Sequence, residues 1–290
     1  MSKFRISLIL ICVCSVLVAF LVMWPGAQVE QGTNPLPKQV EVKTGSKNYR
    51  EPDNNHAVKT LSTAKEGWGF VRSKNHQRPR ISKWQESLLE RYPAIFTFRT
   101  KEKEVVLTFD LGYEKGYTPK ILDTLKAHGV PATFFVTGPW LRKHPDLSKR
   151  MVAEGHLIGN HTMTHPSLPA LGREKFRQEI IQLENLLVDT TGVVPTTKVL
   201  RPPMGEYSEQ TLQWTKELGY KTVFWSIALL DWKPLPGPGA VVRGVMANLH
   251  PGAVILLHGI SKEVTEGLDE LLDEMAVEGY KVVPLDKVKT

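Results

Sequence analysis

The chain has 290 residues, of which 41% are hydrophobic and 23% are charged, and these are the proportions of a globular protein with one large domain or two small ones. It contains 37 Lys and Arg against 30 Asp and Glu, so the formal net charge of +7 suits an anionic partner such as nucleic acid, acidic lipid or wall polymer. No zinc finger, RNA-binding aromatic motif or dense Lys/Arg run occurs, so the sequence predicts no nucleic-acid partner.

The first residues predict a signal peptide or membrane anchor, which we place at residues 1–26. Lys3 and Arg5 precede an apolar run over residues 6–24, and positive charge before such a run keeps the N-terminus in the cytoplasm and exports the rest. The run is long for a signal core and no clean small-x-small cleavage site follows it, so we favour an uncleaved anchor. Both cysteines lie inside the run, so any metal site in the exported part must use His and carboxylate ligands.

Two segments separate this run from the main domain. Residues 27–66 are polar, contain several Gly and Pro and show little periodicity, so we interpret them as a linker. Residues 67–100 form a lead-in segment, in which Trp68 is expected to pack on the domain and residues 84–92 to form a short helix. The basic residues between 72 and 83 are either a solvated face, which we favour, or a surface that attracts anionic wall polymers.

After the lead-in segment, apolar strand candidates alternate with helical stretches. The strand candidates are residues 104–109, 131–137, 156–159, 197–200, 222–227, 253–258 and 281–285. This alternation predicts an α/β fold with a parallel sheet, either open or closed into a barrel. Apolar residues at helical spacing around Phe176 predict an amphipathic helix there, and Gly129 and Gly219 are expected to end two further helices in the left-handed conformation.

Polar side chains follow several of these strand candidates. Asp110 comes directly after residues 104–109, so its carboxylate is expected at the end of a buried strand, where parallel α/β folds carry out chemistry, although a structural capping role is the alternative. His161 and His165 are four residues apart and can converge from a helix or a turn as two nitrogen ligands for a divalent metal. Asn160 and Thr162 beside them are candidates to orient the two rings by hydrogen bonds.

Three more side chains occupy similar positions. Arg201 precedes two prolines that stiffen its turn, and its guanidinium is expected to grip a carboxylate, with Asp110 as the candidate partner. Asp231 follows one apolar strand, and His258 ends another, where an imidazole can exchange a proton near neutral pH. Considered without the other residues, Arg201 could equally be a surface residue beside a proline turn. His258 could equally be a buried core histidine whose hydrogen bonds are satisfied.

Taken in order, these motifs resemble those of the polysaccharide deacetylases, carbohydrate esterases with a nodulation-protein-type deacetylase domain. The resemblance covers residues 100–290, and Thr-Phe-Asp-x-Gly-Tyr-Glu, Arg-Pro-Pro-x-Gly, Phe-Trp-Ser and Leu-Asp-Trp-Lys look most like the delta-lactam-biosynthetic de-N-acetylases. It implies a polysaccharide deacetylase catalytic domain over residues 101–290, folded as a distorted (β/α) barrel with about seven parallel strands, fewer than the eight-stranded form.

The resemblance also implies a role for each candidate residue. Asp110 would be the general base, and Arg201 would hold it in place. His258 would be the general acid, and Asp231 would support it. His161 and His165 would be the metal ligands. The cofactor implied is a divalent metal, for which we predict weakly held zinc.

Leu111 departs from the family pattern, because most members have a second Asp at this position as a metal ligand. Leucine cannot coordinate a metal, and a catalytic zinc site normally has three protein ligands. Three outcomes are open. The metal is held by two His and additional water, which we favour because the delta-lactam branch itself lacks the second Asp; Glu114 replaces the missing ligand; or the site is inactive.

The N-terminal run predicts an exported protein, anchored to the membrane or secreted. The resemblance implies an enzyme that removes acetyl groups from N-acetylmuramic acid residues of peptidoglycan and leads to muramic delta-lactam in spore cortex maturation. Its partners are peptidoglycan glycan strands and, through the N-terminal anchor, the membrane, while the oligomeric state is not predicted. The alternatives are a deacetylase of N-acetylglucosamine or chitin-like polymers, and an inactive wall-binding protein of the same fold.

Overall fold

The computed structural model describes residues 60–72 and 75–288. The predicted signal peptide or anchor and the first part of the predicted linker, together residues 1–59, lie outside the described residues. Within the described ranges, no helix has both the length and the apolar character needed to cross a membrane.

The described chain consists of short strands that alternate with helices over most of its length. The strands are β1 (Glu66–Gly67), β2 (Ala94–Ile95), β3 (Glu104–Leu111), β4 (Thr133–Val136), β5 (Leu157–Asn160), β6 (Val199–Leu200), β7 (Glu206–Tyr207), β8 (Lys221–Val223), β9 (Ile227–Ala228), β10 (Ala253–His258) and β11 (Lys281–Val282). The α-helices are α1 (Lys83–Arg91), α2 (Thr118–His128), α3 (Gly138–Lys143), α4 (Pro145–Ala153), α5 (Arg173–Thr191), α6 (Glu209–Glu217), α7 (Pro238–Met246) and α8 (Lys262–Val277).

Nine strands of the described residues form one curled sheet. Its order is β2–β8–β6–β5–β4–β3–β10–β9, β11 pairs with β3, and the neighbouring strands run parallel. Thr97, just after β2, forms a bridge to Ala253 at the start of β10, so the sheet curls towards a barrel at that end. The predicted α/β fold with a distorted (β/α) barrel is therefore confirmed.

The short strands are where the sheet differs from the sequence prediction. The strand predicted over residues 222–227 is two strands, β8 and β9, because the chain changes neighbours between them. The amide of Phe224 donates to Ile95 O at 2.7 Å, whereas the amide of Ser226 donates to Val254 O at 2.9 Å. Strands β1, β2 and β7 have two residues each, and two residues are too few to show a periodic pattern.

The helices bury apolar faces against the sheet. In β3 every residue from Val105 to Leu111 is buried, as expected of a parallel strand covered on both faces. The apolar face predicted for α5 is confirmed, and its buried members are Phe176, Ile180, Leu183 and Leu187. Gly129 and Gly219 follow α2 and α6 with φ of 64° and 79°, so the predicted left-handed helix ends are also confirmed.

The lead-in segment contacts the domain through aromatic side chains and a small second sheet. The Trp68 ring stacks on Phe224 at 4.1 Å between centroids, and its indole N–H donates to Trp225 O at 2.9 Å. Strand β1 pairs with β7, and the amide of Gln210 donates to Ser62 O at 3.0 Å, so contacts begin within the segment that we assigned to the linker. The boundaries at residues 67 and 101 stay predictions.

Candidate active site

The predicted site residues converge at one edge of the sheet. Asp110, near the end of β3, and His258, the last residue of β10, are direct neighbours in the parallel register. His161 follows β5 and Arg201 follows β6, and these two strands pair at their last residues. Because the carboxyl ends of parallel strands meet at the same edge, four distant parts of the chain deliver polar side chains to one place.

Arg201 and Asp110 form a buried ion pair. The Arg201 side chain has no exposed surface, and its Nη1 donates to Asp110 Oδ1 at 2.7 Å and to Thr108 Oγ1 at 2.9 Å. Its Nε donates to Val223 O at 3.2 Å, and its guanidinium lies over the Phe135 ring at 4.1 Å. These partners compensate for the cost of removing the guanidinium from water, and together they fix its orientation.

The charge of Asp110 follows from this pairing. Burial by itself raises the pKa of the Asp110 carboxyl, but the positive charge and hydrogen bond of Arg201 outweigh burial, so the pKa lies below its ordinary value. Asp110 is therefore a carboxylate at neutral pH. Arg201 engages Oδ1, whereas Oδ2 faces His161 Nε2 at 3.5 Å.

A turn, and not a helix, brings His161 and His165 together. Thr162 and His165 have φ of 68° and 62°, in the left-handed region that non-glycine residues rarely adopt, and such conformations cluster at functional sites. The turn is held by the amide of His165, which donates to Thr162 Oγ1 at 2.9 Å, and by the amide of Thr162, which donates to Asn160 Oδ1 at 2.9 Å. The two imidazole rings lie 4.8 Å apart between centroids.

Both imidazoles are neutral at pH 7. Burial lowers the pKa of His161 to about 4, and burial also lowers the pKa of His165. His161 Nδ1 lies 2.8 Å from Arg201 O, and because a carbonyl only accepts, Nδ1 carries the proton and Nε2 keeps its lone pair. Asn160 and Thr162 hold the turn by bonds to its backbone, so the prediction that they orient the rings is wrong for His161, whose ring is oriented by the carbonyl of Arg201.

The two neutral imidazoles are suitable donors for a divalent metal, but they are few ligands. A neutral imidazole whose other nitrogen donates to a carbonyl is the form in which His ligates metals. Among residues 60–72 and 75–288, however, no group of three or more His, Cys, Asp or Glu side chains has an arrangement that would hold a metal ion. Leu111 is fully buried among core residues, so position 111 contributes no ligand.

Glu114, the second of our three outcomes for the missing ligand, has another task. Its Oε1 accepts from the amides of Gly116 at 2.6 Å and Tyr117 at 2.7 Å, and its Oε2 accepts from the hydroxyl of Thr118. Its Oε1 also accepts from the amide of Thr118 at 3.3 Å, and the Tyr117 and Thr118 amides are unpaired donors at the start of α2, so Glu114 acts as a helix cap. The structure therefore contradicts the suggestion that Glu114 replaces the missing metal ligand.

His258 pairs with Asp231 on the other side of the site. Both oxygens of the buried Asp231 are used, because His258 Nδ1 lies 2.7 Å from Oδ1 and the His258 amide donates to Oδ2 at 2.8 Å. Burial by itself lowers the pKa of His258, but the hydrogen bond and negative charge of Asp231 outweigh burial and raise it above its ordinary value. The Trp232 ring meets the imidazole edge-on at 5.1 Å between centroids.

The site opens into two adjoining cavities of about 300 and 460 Å³, both lined by Asp110, His161, His165 and His258. The smaller one also reaches Tyr113, and the larger one is also lined by Trp225, Trp232 and Met204. We did not predict Met204, which has φ of 58° and is 58% exposed. The sequence feature that could have indicated Met204 as a site residue is a large apolar side chain in a proline-rich turn at the end of a strand.

Comparison with known proteins agrees with this arrangement. Residues 98–223 match the family model described as polysaccharide deacetylase. The chain is 44% identical over 221 residues to the Bacillus subtilis peptidoglycan-N-acetylmuramic acid deacetylase PdaA, covering 76% of this chain and 84% of that protein. It is 38% identical over 203 residues to a Bacillus cereus peptidoglycan-N-acetylglucosamine deacetylase, covering 69% of this chain and 73% of the relative.

The fold agrees as well. The solved structure of Bacillus subtilis PdaA, described as a family 4 carbohydrate esterase, superposes with a TM-score of 0.76 at 43% sequence identity, covering 79% of this chain and 98% of that one. The family resemblance inferred from the motifs is therefore confirmed over most of the described residues. With its strand-end carboxylates and histidines in place, the chain belongs to the polysaccharide deacetylase family and is a hydrolase that removes acetyl groups from carbohydrate.

Proposed function

We propose that this deacetylase acts on N-acetylmuramic acid residues of peptidoglycan, in a metal-dependent reaction that leads to muramic delta-lactam during maturation of the spore cortex. The observation that carries the catalytic part is a carboxylate paired with Arg201 and an imidazole whose pKa is raised by its pairing with Asp231, which face the same cavities. The muramic substrate is supported by the similarity to PdaA, whose name states that substrate.

The chain's own residues supply the proton transfers. Asp110 Oδ2, the oxygen that Arg201 does not engage, accepts a proton from the attacking water, and Arg201 keeps the carboxylate in place. His258 donates its proton to the nitrogen of the departing amine, because C–N cleavage is slow without protonation. Asp231 holds the imidazole so that Nδ1 donates to it and the other nitrogen is left for the substrate.

Deacetylases of this family generally depend on a divalent metal. In this chain His161 and His165 would hold it, weakly because they are only two protein ligands, and we propose zinc. When bound, the metal supplies Lewis-acid polarisation of the acetamide carbonyl and lowers the pKa of water.

The proposed substrate also places the reaction outside the cytoplasm, on the glycan strands of the cell wall. The charged N-terminus followed by the apolar run over residues 6–24 supports export, and we propose that the run anchors the protein to the membrane. Deacetylation of a muramic acid residue releases an amine close to the lactyl carboxylate of the same sugar. This proximity favours lactam closure, which the enzyme would assist by keeping both groups in one cavity.

Product analysis by mass spectrometry tests the proposal. Peptidoglycan with and without peptide stems is incubated with the enzyme, and muramic acid residues are expected to lose an acetyl group and then water. The Asp110→Asn variant is the control and should give neither product. Deacetylation confined to glucosamine residues would rule out the muramic substrate and favour the second candidate, the activity named for the Bacillus cereus relative.

The third candidate is an inactive wall-binding protein. The buried Arg201–Asp110 pair and the His258–Asp231 pair argue against it, because binding alone needs no proton-transfer groups and burying charges is costly. Sacculus binding by the Asp110→Asn variant should persist in either case. A wild-type protein that turns over no substrate, with or without added metal, would favour this candidate.

A further inference from the structure

Trp68, in the lead-in segment, is bonded to two residues that line the larger active-site cavity. Its backbone N–H donates to Gly205 O at 2.8 Å, and its indole N–H donates to Trp225 O at 2.9 Å. Gly205 and Trp225 are part of the cavity lining, and Trp68 holds them from behind that lining. Trp68 also precedes the residues that match the family model, 98–223, so a segment outside that match reaches the active site.

The turn that Trp68 holds, residues 202–205, has an unusual backbone. Met204 and Gly205 have φ of 58° and 65°, both in the left-handed region. A residue with a side chain keeps this conformation only where its surroundings fix it, as they must for Met204. A Cβ at Gly205 would lie 2.8 Å from the Trp225 ring and 3.3 Å from the Trp68 Cβ. The turn is therefore packed tightly between the two tryptophans, and Trp68 is one of the groups that maintain its shape.

The Trp68 ring is itself fixed by the core. It stacks on Phe224 at 4.1 Å between centroids with the ring planes 10° apart, and it lies 5.3 Å from the Phe96 ring. Both phenylalanines are buried. Strand β1 ends at Gly67, directly before Trp68, and pairs with β7. These contacts connect the turn and Trp225 to the core of the domain through one side chain.

The proton-transfer groups are held by other bonds. Arg201 holds Asp110, and Asp231 holds His258, each through a contact of 2.7 Å. The hydrogen bonds of Trp68 go to the cavity lining instead. Loosening the lining should therefore weaken glycan binding and leave the chemical step largely intact, because a mobile lining must be ordered each time the substrate binds.

We propose that Trp68 is a positioning residue, which fixes Trp225 and the turn of residues 202–205 as the surface against which the glycan binds. The lead-in segment is then part of the substrate-binding structure and not a spacer before the catalytic domain. This inference requires only that the chain deacetylates carbohydrate, so it holds whether the sugar is muramic acid or glucosamine.

Steady-state kinetics of the full chain in detergent, with zinc added, test the proposal. The readout is acetate released from soluble glycan strands without peptide stems, counted from either sugar. Trp68→Phe keeps a ring on Phe224 but lacks the indole N–H, and KM should rise about five-fold while kcat stays within about two-fold of wild type. Trp68→Ala also loses the ring, and KM should rise about ten-fold or more.

A matched control lies in the same segment. Trp84 is 39% exposed and stacks on Tyr207 at 6.1 Å between centroids. Trp84→Phe should leave KM and kcat within about two-fold of wild type, and an equal rise of KM in this control would overturn the proposal. So would a fall in kcat without a rise in KM. Trp68 would then act through Phe224, whose carbonyl accepts from Arg201 Nη2 at 3.4 Å.

Hydrogen exchange followed by mass spectrometry separates positioning from a general loss of stability. In Trp68→Phe the amides of residues 204–207 should exchange about five-fold faster, a larger change than in β3. An equal change in both places would show that Trp68 only stabilises the domain, and would overturn the proposal.

The same method gives a measurement on wild type that requires neither a variant nor turnover. Binding of the glycan strands should slow exchange at residues 204–207 and also at residues 66–70 of the lead-in segment. Protection of the turn without protection of residues 66–70 would overturn the proposal, even if the variants do not fold. Because no acetate is counted, this result also distinguishes failure of the positioning role from failure of the proposed function.

Discussion

Two histidines that each contact an Asp line the same cavities, and their pKa values move in opposite directions. His161 Nε2 lies 3.5 Å from Asp110 Oδ2, and the pKa of His161 falls to about 4. His258 Nδ1 lies 2.7 Å from Asp231 Oδ1, and the pKa of His258 rises. The residue types are identical, so the difference comes from their surroundings.

The surroundings differ mainly in what else the carboxylate binds. Asp110 is already paired with the buried Arg201, and its charge compensates that guanidinium, so burial dominates at His161. Among the described residues, both oxygens of Asp231 engage His258. A cation next to the carboxylate thus leaves its histidine neutral and suited to ligate a metal, whereas a carboxylate without such a cation raises the pKa of its histidine and suits it to act as an acid.

The largest effect is expected from Asp110→Asn. An amide cannot take the proton of the attacking water, so the deacetylation rate should fall by about 10³-fold. The variant also leaves the fully buried Arg201 uncompensated, which should lower the free energy of unfolding by about 3 kcal/mol. Steady-state kinetics and thermal unfolding measure the two effects. A variant within ten-fold of wild-type activity would show that Asp110 is not the base.

Metal removal should have the next largest effect. Chelation is expected to lower activity by about 10²-fold or more, because Lewis-acid stabilisation is lost, and added zinc should restore it. With only two protein ligands the metal should be removed by mild chelation, which calorimetric titration of the metal-free protein checks. Full activity in metal-free protein would contradict the assignment of His161 and His165.

The Asp231→Asn substitution should return the pKa of His258 towards that of an ordinary histidine. His258 must be protonated to act, so activity is lost as pH rises through its pKa, and loss of the Asp231 charge should move this alkaline limb to lower pH. The rate at neutral pH should fall by about ten-fold. The pH–rate profile is the measurement, and an unmoved alkaline limb would exclude Asp231 as the cause of the raised pKa.

The same linkage affects stability. Because the folded-state pKa of His258 is raised above its ordinary value of 6.5, the stabilisation by the His258–Asp231 pair is fully present below that pH and is lost as pH rises through the folded-state pKa. Thermal unfolding of wild type and Asp231→Asn should therefore differ more in mildly acidic than in alkaline buffer. A difference that grows with pH would have the wrong sign.

The smallest effect is expected from Glu114→Ala. Loss of the cap on α2 should lower the free energy of unfolding by about 1 kcal/mol, while the affinity for zinc stays unchanged. Calorimetric titration against a His165→Ala variant, in which zinc binding should be lost, sets the scale. A large loss of zinc affinity in Glu114→Ala would restore Glu114 as a metal ligand.

Sequence patterns were sufficient to predict where the longer strands lie along the chain and which residues stand at their ends. Strand β3, for example, is predicted from a continuous apolar run that ends in Asp110, and the run depends only on local chain properties. The division of residues 222–227 between β8 and β9 was not predictable, because it reflects a change of hydrogen-bonding neighbour from Ile95 to Val254. The local sequence pattern does not indicate that change of neighbour.

Motif order alone determined the family and the candidate catalytic residues, since each is a matter of residue type and position. Only the tertiary structure decided the electrostatics. The pKa shifts of His161 and His258 depend on burial and on which groups lie within a few ångströms, and Glu114 was excluded as a ligand by amides that it caps. Distances between residues remote in the chain exist only once the sheet has curled and its strand ends have met.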